Sequence, residues 1–158
     1  MPIIDFKDLP VANTGGGKQD AFELFAREFL YKIGFKIIEA PDRGADLGRD
    51  LIVSETRNGI IGTTEVRWLV SCKHNAHSGQ SVRKDDEINI VDRMQAHKCS
   101  GFIGFYSTIA SSGLATNLQK IRENNKYDVM VFDREKIERY LLENIELRGV
   151  LKRFFPKV

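Results

Sequence analysis

Short apolar segments of strand-like composition alternate with segments of helical period along the second half of the chain. Parallel strands need a long crossover between them, usually a helix, so this alternation predicts a parallel part of a sheet covered by helices. The first half differs, because two apolar, β-branched segments there flank Asn58-Gly59, a dipeptide typical of hairpin turns. We therefore predict an α/β fold with a mixed central β-sheet flanked by helices.

The predicted elements follow from residue periodicity. Apolar residues recur at three- and four-residue steps from Phe22 to Ile33, and Gly34 follows as a stop signal, which predicts an amphipathic first helix. The strands are predicted at residues 35–40, 50–56, 64–73, 102–106 and 128–132. The later helices are predicted from Asp85, over residues 110–124, from Asp133 and over residues 147–155.

The composition indicates how many domains the chain forms and in which cellular compartment it is expected. The chain has 158 residues, of which 42% are hydrophobic and 29% charged, as expected of one globular domain. Residues 1–17 lack periodicity and end in three glycines, so we predict a flexible lead-in there and a folded domain over residues 18–158. No apolar run is long enough to cross a membrane, and two cysteines cannot build a disulfide framework, which predicts a soluble, cytoplasmic protein.

Charge is unevenly distributed along the chain. The formal net charge of +2 is too small to indicate a nucleic-acid partner by itself. The stretch 66–84, however, contains no carboxylate and could approach phosphates, although a solvated basic hairpin and loop is an equal alternative. Its cationic and titratable side chains are Arg67, Lys73, His74, His77, Arg83 and Lys84.

A carboxylate and a lysine occupy the ends of two neighbouring predicted strands. Asp50 stands where a glycine-containing turn enters the second strand, and Lys73 ends the strand that returns from the hairpin. Antiparallel pairing brings the start of one strand beside the end of the next, so the two residues are predicted to be neighbours. A carboxylate that holds a divalent metal beside a lysine that positions a water is the minimum apparatus for phosphodiester hydrolysis.

Four segments together carry a family resemblance. They are Phe22-Glu23, Gly44-x-Asp46-x-Gly48-x-Asp50, Val70-Ser71-Cys72-Lys73 and Gly101-Phe102-Ile103-Gly104. Over residues 18–132 the chain resembles the restriction-endonuclease-like PD-(D/E)xK nuclease superfamily, most closely its Mrr-type branch. The resemblance implies a DNA endonuclease that depends on Mg2+ or Mn2+ and serves in restriction or antiphage defence. It also implies that Asp50 and the backbone carbonyl of Cys72 bind the metal, and that Lys73 is catalytic.

Ser71 departs from the family pattern, which has Glu, Asp or Gln at this position as a metal ligand. Glu87 is the candidate replacement, because a helix from Asp85 would turn it towards the sheet while Asp86 points away. Some type II restriction enzymes of the superfamily are similar, with a serine at the acidic position and a glutamate separated from the lysine by 13 residues, as Glu87 is here. Ser71 is then left to orient a water. The alternative is that Glu87 pairs with a local lysine or arginine.

The remaining expectations concern a supporting residue, the assembly, the alternative functions and the nucleic-acid contacts. Glu23 lies near the edge of the apolar face of the first helix and is a candidate to support the metal ligands, with an ordinary surface glutamate as the alternative. A single site cuts one strand, so a homodimer or larger assembly is expected, and target choice could need a separate recognition domain or protein. Two other functions stay open, a catalytically decayed DNA-binding module and an RNA-cleaving relative. The candidate nucleic-acid contacts are Arg67, His74, Arg83 and Lys84.

Overall fold

A computed structural model describes residues 2–11, 21–39 and 51–158 of the chain. The strands are β1 (Lys36–Glu39), β2 (Leu51–Asn58), β3 (Thr63–Lys73), β4 (Gly101–Tyr106) and β5 (Asp128–Phe132). The helices are α1 (Ala21–Ile33), α2 (Ile90–Ala96), α3 (Ser112–Asn125), α4 (Arg134–Glu143) and α5 (Arg148–Phe154). Within these ranges no helix combines the length and apolar character that a membrane crossing requires.

The strands form one five-stranded sheet in the order β1-β2-β3-β4-β5. The pairs β1–β2 and β2–β3 are antiparallel, whereas β3–β4 and β4–β5 are parallel. This mixed sheet with flanking helices confirms the predicted α/β class. The hairpin turn is longer than the dipeptide Asn58-Gly59, because Asn58 pairs with Thr63 and the Gly59 amide donates to the Gly62 carbonyl at 2.7 Å.

Two cores lie on opposite faces of the sheet, as the alternation of side chains along a strand requires. The aromatic core packs α1, α4 and α5 against one face, and the aliphatic core packs α2 and α3 against the other. The aromatic core includes Phe22, Phe25, Phe29, Phe105, Phe132 and Phe155. The aliphatic core includes Ile52, Leu69, Met94, Phe102, Leu114 and Leu118. The middle strand β3 therefore lies between two helical layers.

The N-terminal segment departs from its prediction. A flexible lead-in over residues 1–17 is wrong for residues 2–11, because Ile4, Phe6 and Leu9 are buried in the aromatic core. A short 3-10 turn at Phe6–Asp8 places these apolar side chains on the domain. The segment is too short to show a helical period, so its burial has no signal in the sequence. The predicted boundary at residues 17 and 18 lies outside the described residues.

The helix predicted from Asp85 is also different. Lys84–Asp86 forms a 3-10 turn, Asn89 adopts a left-handed backbone with φ 54°, and α2 begins only at Ile90. The change of direction leaves Ile88 61% exposed and Glu87 only 2% exposed. The inward orientation of Glu87 was thus expected for the wrong reason, since this residue lies in the bend before α2 and not on a helix.

Candidate active site

Glu87 is a buried carboxylate that reaches the ends of two parallel strands. Its Oε1 accepts a hydrogen bond from Ser71 Oγ of β3 at 2.8 Å, and its Oε2 accepts one from the Tyr106 hydroxyl of β4 at 2.7 Å. Each carboxylate oxygen therefore receives one hydroxyl from a different strand. Hydrogen bonds to a charged acceptor are among the stronger ones in proteins, and they offset the cost of burying this carboxylate.

Gly104 makes room for the Tyr106 ring. Gly104 pairs with Ser71 in the parallel register and precedes Tyr106 by two residues on the same face of β4. A Cβ at position 104 would lie 2.4 Å from both Cζ and the hydroxyl oxygen of Tyr106, so the ring can lie across the strand only because residue 104 has no side chain. Burial, together with the Glu87 carboxylate, raises the pKa of Tyr106 far above its usual value, and the phenol stays a donor.

Arg93 of α2 supplies a positive charge beside Glu87. Its Nη1 lies 3.4 Å from Glu87 Oε1 and donates to the Ile88 carbonyl at 2.9 Å. The side chain of Arg93 is 25% exposed, so the ion pair joins a buried acid to a group that water still reaches. This contact agrees with the alternative in which Glu87 pairs with a local arginine. It does not test whether Glu87 also binds a metal.

Lys73 and Ser71 project from the same face of β3, since they are separated by one residue. Lys73 is partly buried, lies beside Tyr106 in the register, and accepts the Ser107 amide at its carbonyl at 3.2 Å. Two residues of strand correspond to about 7 Å, so the lysine lies close to the Ser71–Glu87 hydrogen bond. Cys72 projects from the opposite face and packs against the aromatic core.

Asp50 lies outside the described residues, as does the glycine-aspartate segment before it. The residue bonded to it, Leu51, begins β2 and pairs with Val70, the neighbour of Ser71. Glu23 lies in the first turn of α1 and is partly buried, on the aromatic side of the sheet. In the part of the chain that the structure describes, no three His, Cys, Asp or Glu side chains cluster as metal ligands. The metal roles of Asp50, Glu87, Cys72 and Glu23 stay predictions.

The four candidate nucleic-acid contacts occupy different environments. Arg67 is partly buried and its Nη2 donates to the His97 carbonyl at 3.2 Å, so it supports the chain before β4. Arg83 and Lys84 are exposed, and Arg83 lies 3.7 Å from Asp86. The structure therefore does not bring Arg67 together with the exposed pair.

His74 is held inside a local network. Its ring stacks on Phe22 at 4.7 Å, its Nδ1 lies 2.8 Å from Ser107 Oγ, and its Nε2 lies 3.0 Å from the Leu9 carbonyl. His77 Nε2 approaches the same carbonyl at 2.8 Å. A carbonyl oxygen only accepts, so Nε2 carries the hydrogen in both rings. His74 thus fastens the N-terminal segment to the strand end that bears Lys73.

The sequence did not predict roles for Tyr106 or for the particular arginine at position 93, and it presented Gly104 only as part of a strand motif. The signal for Tyr106 was weak but present, since it ends an otherwise apolar strand that was predicted to follow β3. Nothing local marks its partner, because the Tyr106–Glu87 bond joins residues 19 positions apart through a bend that periodicity does not predict.

The chain matches one protein family by sequence and resembles a known restriction endonuclease in fold. A model of the Mrr_cat family, described as restriction endonuclease, matches residues 17–141. A search of curated proteins found no match. The fold is similar to the DNA modification-dependent restriction endonuclease AspBHI, with a TM-score of 0.59 and 11% identity over 85% of this chain and 36% of that one.

A second solved structure, the MspJI restriction endonuclease in complex with a 27-mer oligonucleotide, gives a TM-score of 0.47 and 21% identity over 85% of this chain. That alignment covers 30% of the MspJI chain. The present chain therefore spans about a third of the length of either relative.

Proposed function

We propose that this chain, which belongs to the Mrr_cat family of restriction endonucleases, is a divalent-metal-dependent endonuclease that hydrolyses phosphodiester bonds in DNA, in restriction or antiphage defence. The observation that carries the proposal is the buried carboxylate of Glu87 held by Ser71, two residues before Lys73. A buried acid beside a lysine at a sheet edge is an arrangement suited to phosphodiester hydrolysis. We keep residues 18–158 as the proposed nuclease domain, with the segment 2–11 packed into its aromatic core.

The residues present have the chemistry that Mg2+ or Mn2+ requires. Hard cations take oxygen ligands, carboxylates above all. A carboxylate offers about four lone-pair sites, and among the described residues Glu87 spends three of them, on Ser71, Tyr106 and Arg93. The remaining site is on Oε2, and Arg93 already shows that a positive charge is stabilised beside this acid.

In the proposed site, Asp50, Glu87 and the carbonyl of Cys72 would hold the metal, with Glu23 as support. The chemistry that the ion supplies when bound is activation of a water and neutralisation of charge on the phosphate. Lys73 orients the attacking water and donates to the phosphate, because an ammonium offers three hydrogens and no acceptor. Ser71 donates to Glu87 and orients both that carboxylate and a neighbouring water.

DNA is the proposed substrate. Arg83 and Lys84 are exposed and end the carboxylate-free stretch that leads away from Lys73, where a phosphate backbone would meet positive charge. His74 and Arg67 act in this proposal through the strand they support. AspBHI is described as DNA modification-dependent, and a comparable choice of target here would need a recognition domain or partner besides this domain. The DNA is expected to be cut by a homodimer or larger assembly in the cytoplasm.

One observation favours a second candidate, a DNA-binding module whose site has decayed. The Arg93–Glu87 ion pair already balances the buried charge, so the fold does not require a metal to satisfy Glu87. In that case Arg83 and Lys84 would hold DNA that is not cut. The two candidates differ in whether the protein responds to metal through Glu87.

The test compares Glu87→Gln with Asp86→Asn on supercoiled plasmid, with and without Mg2+ or Mn2+. Glu87→Gln keeps the side-chain shape and removes the charge, so plasmid cleavage is expected to fall at least about 100-fold, as for loss of a catalytic group. Asp86→Asn is the matched control, since Asp86 accepts the Arg83 amide at 2.9 Å on the outer side of the turn. It should cleave at nearly the wild-type rate.

Metal-dependent thermal stabilisation provides a readout that does not depend on cleavage. Wild type and Asp86→Asn should gain stability with Mn2+, and Glu87→Gln should gain much less, because a ligand stabilises only the state that binds it. Near-normal cleavage by both variants would contradict the role of Glu87. Wild type that neither cleaves nor responds to metal, yet binds DNA, would establish the decayed module. Lys73→Ala, expected to bind metal without cleaving, separates the lysine from the ligands.

A further inference from the structure

The hairpin of β2 and β3 extends beyond the rest of the sheet. β1 pairs with β2 only as far as Ser54, and β4 pairs with β3 only from Trp68 onwards. Between these points, residues 55–66 form a two-stranded ribbon whose strands pair only with each other among the described residues. Residues 56–65 are all exposed. Two-stranded ribbons are marginally stable in water, so contact with a partner would stabilise a ribbon that projects from the sheet.

The tip of this ribbon carries two adjacent isoleucines in full contact with water. Ile60 and Ile61 are 106% and 102% exposed, and they lie between Gly59 and Gly62. Burying one such side chain stabilises by about 1.5–3 kcal/mol. Scattered exposed apolar residues are common, but two fully exposed neighbours at the end of a projecting arm are typical of a contact surface.

The charges of the ribbon favour a protein over nucleic acid as the partner of its tip. The charged residues of residues 55–66 are Glu55, Arg57 and Glu65, with one more acid than base. Arg57 is already engaged, since it lies 3.3 Å from Glu55 and 3.5 Å from Asp128. Binding to DNA is driven by unpaired cations that meet phosphates, and this ribbon has none among its residues. The tip is therefore suited to a protein.

A complementary pocket lies at the base of the same ribbon. Its volume is about 260 Å³, and Glu55 and Arg57 of the ribbon form part of its wall. Apolar side chains make up much of the remaining lining: Phe35, Trp68, Ile103, Val129, Met130 and Phe132. Asp128 and Arg122 complete the lining. Glu55 and Asp128 pair with Arg57, and Arg122 Nη2 donates to the Val129 carbonyl at 2.8 Å. An apolar floor with a paired polar rim is the usual composition of a protein–protein contact.

We propose that the ribbon is the dimerisation arm of this protein, and that Ile60 and Ile61 of one protomer enter the pocket at the ribbon base of its partner. At about 3.3 Å per residue, the tip lies about 17 Å along the ribbon from Glu55 and about 10 Å from Arg57, and an extended ribbon directs it away from the pocket of its own chain. Two ribbons lying side by side in opposite directions bring each tip to the other pocket. The two tip–pocket contacts are then related by a twofold axis, as in the isologous interfaces of most homodimers.

The ribbon and the pocket together offer a surface close in size to one side of a standard interface. The ten exposed residues of the ribbon and the lining of the pocket amount to about twenty residues in each protomer. A standard protein–protein interface takes about 20–30 residues a side. The proposal does not depend on the nuclease activity, because the ribbon extends from the end of β3 opposite to Ser71 and Lys73.

The mass of this chain in solution tests the arm directly. Sedimentation equilibrium of the wild type at micromolar concentration should give twice the chain mass of 18.0 kDa. Ile60→Asp combined with Ile61→Asp should shift the mass to that of a monomer, because each tip would carry charge into an apolar pocket. The matched control is Ile145→Asp, since Ile145 is 67% exposed and lies in the turn between α4 and α5. It should remain dimeric.

Site-directed cross-linking locates the contact. Protein carrying Ile60→Cys is mixed with protein carrying Met130→Cys, whose side chain lines the pocket, and the mixture is oxidised. A disulfide between the two chains should form in the mixture, above the background that Cys72 and Cys99 give in wild type. Three outcomes would each overturn the proposal: a monomeric wild type, a dimer that the two aspartates do not dissociate, and a mixture that forms no cross-links. A tip that binds a different protein would give the first or the third outcome.

Discussion

The two ends of β3 are built in opposite ways. At one end Ser71 shares a buried carboxylate with Tyr106 of the next strand, and side chains from separate elements meet in the interior. At the other end, from Thr63 to Glu65, every residue is exposed and the strand pairs only with β2 among the described residues. One strand thus joins a region in which buried polar side chains bond to one another to a region whose side chains are in contact with water.

The difference teaches where substitutions should matter. A buried polar cluster loses stability when one member is removed, because the group left behind keeps its desolvation cost. An exposed ribbon has few buried contacts to lose and belongs to the part of a fold that opens at little cost. We therefore expect the sensitivity to mutation to fall from the Ser71 end of β3 and the adjacent end of β4 towards the hairpin tip, and three variants test this gradient.

The largest effect is expected at Gly104. Gly104→Ala would place a Cβ 2.4 Å from the Tyr106 ring, and the buried ring has no room to move aside. Overpacking of this kind should lower the free energy of unfolding by about 3 kcal/mol, measured by urea denaturation. Gly149→Ala is the control, because a Cβ there meets nothing within 4 Å and α5 should gain up to about 1 kcal/mol. Equal stability of the two variants would show that the ring is not confined.

A smaller loss is expected when only the hydroxyl is removed. Tyr106→Phe keeps the packing of the ring and deletes the donor to Glu87 Oε2, so the free energy of unfolding should fall by about 2 kcal/mol. Tyr127→Phe is the matched control, since the Tyr127 hydroxyl only receives an exposed bond from Gln95 at 3.4 Å. If both variants lose the same free energy of unfolding, the Tyr106 hydroxyl does not stabilise the buried carboxylate. The Ser71 end of β3 would then be less sensitive to mutation than we expect.

The smallest effect belongs to the ribbon. Ile60→Asp with Ile61→Asp should change the free energy of unfolding of the monomer by no more than about 0.5 kcal/mol, because neither side chain is buried within its own chain. Denaturation must be followed at concentrations too low for dimers to contribute. A loss as large as that of Tyr106→Phe would mean that the tip packs on its own domain, and the contrast between the two ends of β3 would disappear.

Most elements of the fold could be predicted from the local sequence. The strand predicted at residues 128–132 has those limits, and Asp133 begins the next helix as expected by accepting the Lys136 amide at 2.9 Å. Such elements depend on period and capping, which neighbouring residues determine. The candidate site was less accessible, since the orientation of Glu87 depends on the left-handed backbone of Asn89. The Tyr106 contact depends on the absence of a side chain at Gly104, and neither relation has a local signature.

The change from antiparallel to parallel pairing at β3 also orders the folding of the chain. β2 and β3 close a short loop, whereas β3 meets β4 only after the 27 residues from His74 to Ser100 have crossed the sheet. Closing the longer loop costs more chain entropy, so the hairpin should form first and the crossover later. Glu87 lies within that crossover, and its burial is therefore coupled to the docking of β4. A nascent chain that ends before Tyr106 lacks the phenol that donates a hydrogen bond to this carboxylate.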